Sequence, residues 1–274
     1  MTATTLAPTP TRDERRGSGL ATSSVAVAKR TTRKFMRTPQ LILMSTVQGV
    51  LFLLLFRYVF GGAIDAGSVS YVDFLVPGFI TTTILFAGTG AAVGVADDIQ
   101  SGFMDRLRSL PIPRAAAVVG RAIADSGLLV WTLAATTAVG FAAGFRLSTD
   151  LGQGLAAFGL CVLFGFAFEW LFITMGLITG NAQAAQGMAM LVFPLTFVSS
   201  AYVPVSTMPS WMQGFAEHQP ITVMVNAVRC LTGGSDVEAL LGHSTAHYVG
   251  LSLVWTAGII AVFAPLAIVR FARR

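Results

Sequence analysis

The chain has 274 residues, 54% of them apolar and 11% charged, where an ordinary soluble domain carries roughly 25% charged residues. So few ionic groups cannot cover a water-soluble globule of this size, and a mean hydropathy of +0.71 points to a chain that crosses a bilayer several times. The net charge of +5 does not mark a nucleic-acid binder: eight of the 18 basic residues precede Gln40, and almost none lie inside the apolar blocks, which is the signature of membrane topology.

Residues 1–38 read as a disordered, basic cytoplasmic tail. Met1–Gly19 is rich in Thr, Pro and Arg and has no apolar period with which to bury a core. Lys29, Arg30, Arg33, Lys34 and Arg37 then crowd against the first hydrophobic run as an anchor. A cleavable signal peptide would carry its apolar stretch earlier and shorter.

A hydrocarbon core about 30 Å thick needs roughly 20 apolar residues in helix. Six segments of residues 39–274 meet that demand: 41–60, 74–96, 122–145, 155–179, 187–205 and 248–269, the fifth with a kink expected at Pro194. With the amino terminus inside, 15 basic residues fall on the cytoplasmic side and only Arg57, Arg146 and Arg229 outside. Six passes return the carboxyl terminus to the cytoplasm, where Arg270, Arg273 and Arg274 favour it. The expected fold is an all-α integral membrane protein with six transmembrane helices and both termini cytoplasmic. No internal repeat relates spans 1–3 to 4–6, so an inverted-repeat transporter finds no support.

The internal loop after span 2, DDIQSGFMDRLRSLPIPR, is the most charged stretch after the tail. Ile99, Phe103, Leu107 and Leu110 recur at helical spacing, with Asp105, Arg106 and Arg108 largely off that face. Asp97 or Asp98 can cap its start, and Pro111 and Pro113 stop it. This is a short amphipathic helix at the cytoplasmic surface. It either lies in the headgroups or docks a cytoplasmic partner.

Within the spans, Glu169 stands in the middle of the fourth, as a polar point on a substrate path or as a helix-to-helix hydrogen bond. Arg121 and Asp125, four apart at the inner start of the third, can pair. On the external side, residues 207–240 are too polar for a span but are patterned as one or two short helices dipping into the outer leaflet. Ile221, Val225, Val228 and Leu231 take one face, with Thr222, Asn226 and Arg229 on the other. Trp211 suits the headgroup level, with Met208, Met212 and Phe215 close to it.

Cys161 and Cys230 fall at different depths, which argues against a disulfide, and the three histidines lack metal-ligand spacing, so no metal site is expected. The sequence has no GxxxxGK[ST] loop to cradle nucleotide phosphates: Lys29 and Lys34 are its only lysines and neither follows a glycine. It also lacks a GxSxG elbow or HExxH helix. The chain is therefore not expected to be an enzyme, nor to hold a cofactor.

The stretch GFMDRLRSLPIPRAAAVVGRAIAD, Gly102–Asp125, resembles the internal loop and third span of type-2 ATP-binding-cassette (ABC) exporter permeases of the daunorubicin-resistance branch. A second block, Phe193–Gly234, resembles the same branch, and with the six spans the similarity runs from about Pro39 to Arg274. The resemblance implies that the internal loop is a coupling helix resting on a separate ABC ATPase, which holds ATP and Mg. Carried over by position, the coupling residues are Gly102, Phe103, Asp105, Arg106, Leu107, Arg108, Leu110 and Pro111. A glutamate often precedes the glycine in that family; Asp97 and Asp98 occupy the region here. The resemblance also implies that Trp211, Phe215, Asn226 and Arg229 form an external gate; Glu169, Arg121 and Asp125 remain, from their positions in the spans, candidate groups on the substrate path or an intramembrane polar pair. A second permease copy, identical or similar, would complete the path in a bacterial-type inner or plasma membrane. The cargo so implied is a hydrophobic drug, antibiotic or lipid-like compound. The competing reading is a membrane anchor or assembly subunit that docks an ATPase and translocates nothing.

Overall fold

A computed structural model describes residues 19–61 and 70–273, and every regular element among them is helical. Leu20–Arg37 forms α1, and after Thr38 the chain turns into α2, Pro39–Leu55, which runs on as one π-helical turn, Phe56–Phe60. Ser70 caps α3, Tyr71–Gln100, by accepting from the Asp73 amide at 3.2 Å. A two-residue joint leads to α4, Phe103–Ser109, and the Pro111–Ile112–Pro113 elbow leads to α5, Arg114–Ala142. Asp150 caps α6, Leu151–Thr179, accepting from the Gln153 amide at 2.7 Å. Two short pieces follow, α7 (Ala182–Met190) and α8 (Phe193–Phe197), then α9 (Ser210–His218), α10 (Pro220–Gly233), α11 (Ser235–Leu241) and α12 (Thr245–Arg273).

Among the described residues α3, α5, α6 and α12 are long and apolar enough to cross a bilayer. At 1.5 Å per residue each reaches about 44 Å, beyond a hydrocarbon core of about 30 Å. Helix α6 sits at the centre, with α3 on one side and α12 on another. In lipid such helices gain little from hydrophobicity and much from close approach. Gly176 provides it: a methyl group there would collide with the Ala92 carbonyl of α3, as one at Gly88 would with the Phe172 ring. Phe79, Phe164, Phe172 and Leu133 fill the buried space between. α4 and α10 lie at opposite ends of the bundle, since α4 follows the end of α3 and Arg229 of α10 bonds its beginning.

Three expectations are corrected. Residues 20–37, assigned to a disordered tail, are the helix α1; its buried face is Ser23, Ser24, Val27, Ala28 and Thr31, small residues that fit against Gly120 of α5. The rest of the tail, 1–18, lies outside the described residues. The loop helix does not begin at Asp97 or Asp98, because α3 continues through Gln100; Gly102, at φ +68°, makes the turn, and Ile99 belongs to α3. The fifth predicted span is not one kinked helix. A proline within it would clash with the carbonyl four residues back, that of Met190, and α7 ends there; Pro194 instead occupies the first turn of α8. From Val198 to Pro204 the chain runs in turns. The first predicted span is helical from Pro39 to Phe60, in the two parts given above.

Candidate functional site

At one end of the bundle, α4 is held by Met104 and Leu107, which are buried, while Asp105 and Arg106 are exposed. Phe103 is half-buried under the guanidinium of Arg30, 3.6 Å above its ring. Arg108 pairs with Asp105 at 3.5 Å and leans over Phe271 of α12. Leu110 does not share the buried face: it follows the helix in extended conformation, 51% exposed, beside the exposed Pro111. The eight loop residues thus separate. Gly102, Phe103, Leu107 and Arg108 build the joint, and Asp105, Arg106, Leu110 and Pro111 face outward.

Directly behind this joint lies a network of charge. Arg121 donates from Nε to Asp125 Oδ2 at 2.7 Å and from Nη1 to Asp98 Oδ2 at 2.8 Å, and all three side chains are buried. Asp98 Oδ1 takes Arg30 at 3.2 Å and Lys34 at 3.7 Å from α1. Gly94 leaves room for the guanidinium, since any side chain there would strike it. The Arg121–Asp125 pair is readable from its spacing. Asp98, Arg30 and Lys34 as its further members are not, because no local period relates residues 23 and 68 positions apart.

Glu169 is buried between α6 and α5, where the Ser126 hydroxyl donates to its Oε2 at 2.7 Å. This is a helix-to-helix hydrogen bond, and Glu169 does not line the cavity at the far end.

That cavity, of about 590 Å³, opens at the α10 end and is walled by Phe74, Asn226, Arg229, His243, His247 and Tyr248, among others. The expected two-faced helix is corrected: in α10 all residues from Ile221 to Thr232 are buried, polar and apolar alike. The reason is the broken segment beside it. Arg229 directs its five N–H groups to the carbonyls of Phe74, Ser200 and Ala201, to the Ser200 hydroxyl and to Asn226 Oδ1, at 2.7–3.4 Å, with the Phe74 ring 3.5 Å from its guanidinium carbon. Gln219 donates to the carbonyls of Leu195 and Val198, at 3.1 and 2.8 Å, and Thr222 accepts from the Ser200 amide at 3.1 Å. The polar side of α10 therefore satisfies backbone groups freed where the fifth span breaks, as apolar surroundings require. Trp211 and Phe215 are not part of this cluster; they project from α9, 80% and 55% exposed. Gln219 was not singled out from the sequence. Its position just ahead of Pro220 at a helix start is the one local signal. Cys161 and Cys230 are both free thiols.

The family model for ABC-2 type transporters matches residues 22–231. The chain is 32% identical over 235 residues to the daunorubicin resistance ABC transporter permease protein DrrB1 of Streptomyces coeruleorubidus, covering 85% of this chain and 80% of that one. It is 28% identical over 226 residues to the probable doxorubicin resistance ABC transporter permease protein DrrC of Mycobacterium tuberculosis (80% and 77% covered). It is also 24% identical over 216 residues to the putative transport permease ycf38 of Porphyra purpurea (77% and 74% covered). With a matching model over most of its length and apolar helices of bilayer-crossing length, the chain belongs to the ABC-2 type transporter family of multi-pass membrane permeases.

Proposed function

We propose that this permease exports a hydrophobic drug, antibiotic or lipid-like compound, driven by a separate ABC ATPase subunit that binds ATP and Mg, and paired with a second permease copy, identical or similar. The names of the two resistance relatives support the cargo class. In this reading the α4 end and both termini are cytoplasmic, and the first and fifth apolar stretches bring the passes to six.

The observation that carries the proposal is the build of α4. Met104 and Leu107 root it in the bundle while Asp105, Arg106, Leu110 and Pro111 remain outward for a partner. Only Ser101 and Gly102 separate it from α3, and two prolines stiffen its joint to α5. The Asp98–Arg121 bond ties those two helices just behind it. A push on α4 is thus delivered to both helices together, which lets closure of an ATPase pair switch access across the membrane. Arg121, Asp125 and Glu169 serve as ties between helices, and Asn226 and Arg229 wall the outer cavity as an exit. The interrupted backbone around Leu191, which is 75% exposed, supports pairing: irregular backbone at membrane depth needs protein or a water-filled path beside it.

Cysteine cross-linking tests the docking. Arg106→Cys is expected to cross-link to the co-purifying ATPase subunit in membranes, with Arg146→Cys at the other end unreactive. Cross-linking from position 146 and not from 106 would refute the assignment.

A further inference from the structure

The sequence leaves five basic residues next to the first apolar run, and only part of that charge is used by the network behind α4. Arg30, Arg33, Lys34, Arg37 and Thr38 line a cleft of about 420 Å³ where α1 turns into α2. Around it, five cations (these four with Arg121) stand against two carboxylates, Asp98 and Asp125, and Asp98 already serves Arg30, Lys34 and Arg121. Among the described residues no acid pairs with Arg33 or Arg37, and both are exposed. Two guanidinium groups four residues apart lie on one helix face and can both turn to one anion.

The setting defines which anion. Pro39 begins α2 immediately after the cleft, so on the six-pass reading proposed above the cleft sits where the chain turns into the membrane. On the neighbouring face of α1, Val25 and Met36 are 61% and 72% exposed and stand eleven residues apart, which is three helical turns. Lys29 and Thr32, both exposed, stand between them on that face, and a helix that mixes exposed apolar side chains with long basic ones in this way suits the headgroup layer. We propose that this cleft binds the phosphate of an anionic phospholipid, held by Arg33 and Arg37 with Arg30 and Lys34 at its inner wall. Because Arg30 also covers the Phe103 ring at 3.6 Å, the bound lipid fixes α1 against the base of α4.

The test is native mass spectrometry of the full chain in neutral detergent, titrated in separate arms with phosphatidylglycerol, phosphatidylcholine and inorganic phosphate. One phosphatidylglycerol is expected to bind about tenfold or more tightly than phosphatidylcholine, from roughly 1 kcal/mol per basic residue at an anionic surface. Arg33→Gln with Arg37→Gln should abolish the preference. Arg33→Lys with Arg37→Lys should keep most of it, and Arg270→Gln with Arg273→Gln should leave it unchanged. Equal affinity for the two lipids in the unsubstituted chain would overturn the proposal, as would a preference that survives the double glutamine variant. Displacement of phosphatidylglycerol by inorganic phosphate at comparable concentration would overturn it too, since the site would then take a free anion and not a lipid.

Discussion

Arg121 and Asp98 meet at 2.8 Å, from α5 and α3, with neither side chain more than 3% exposed. Their bond closes the bundle immediately behind the short helix α4, and Asp98 extends it to α1 through Arg30 and Lys34. Asp98→Asn removes the charge and keeps the shape. Removing one member of a buried ionic set typically costs about 3–5 kcal/mol, but Arg121 keeps Asp125 here, so a loss nearer 2 kcal/mol is expected. Thermal unfolding of the detergent-solubilised chain measures it, and proteolysis within α1 should accelerate as Arg30 and Lys34 lose their partner.

The glycines separate by what lies opposite them. Gly176→Ala places a methyl group on the Ala92 carbonyl, a backbone atom that cannot swing away, and overpacking of this kind costs about 1–3 kcal/mol. Gly214→Ala in α9 meets nothing within 4 Å and should be neutral or stabilising by up to about 1 kcal/mol. Melting temperatures of the two variants, compared side by side, should move in opposite directions or leave only the first lowered.

Arg229 works as a clamp on interrupted backbone, so its fork geometry matters as well as its charge. Arg229→Lys offers three donors where five are used, leaving buried oxygens without partners at about 1–3 kcal/mol each. Hydrogen exchange is the direct readout: amides of residues 198–203 should exchange faster in the variant, while those of α6 stay protected.

Acid should loosen the start of α12. Hydrogen bonds from Thr245, its hydroxyl and its amide (2.5 Å), hold the Glu238 carboxyl below the ordinary glutamate range. A depressed acid contributes above its unfolded-state value, about 4.3, and that contribution is lost as pH falls through the lower, folded value. Amide exchange at Thr245–Tyr248, corrected for intrinsic rates, should therefore become less protected on acidification below about pH 4. Glu238→Gln should flatten that dependence.

Much of this was legible in the residues and some of it was not. The long helices follow from apolar runs bounded by caps such as Asp150 and by basic ends, and the loop helix from Phe103, Leu107 and the two prolines after it. α1 was hidden because its buried face is serine, threonine and alanine packed against Gly120; no large apolar period announces it. The break in the fifth span is written in Pro194, but its depth depends on Gln219 and Arg229 arriving from α10 to take the freed carbonyls. The charge network was half visible: Arg121 and Asp125 by spacing, Asp98 only once α3 lies beside α5.

The decisive measurement is ATP-driven efflux and substrate-stimulated ATP hydrolysis in proteoliposomes holding the permease with its co-purifying ATPase, comparing the native chain with Arg106→Glu, Leu110→Asp. Both side chains are exposed, so the fold should persist. Loss of a charge-assisted contact at a desolvated interface is worth 2–5 kcal/mol, about thirtyfold or more. Efflux and stimulation should fall together by at least that factor, with the permease still folded. Full efflux from the doubly substituted chain would mean that α4 is not where the ATPase acts.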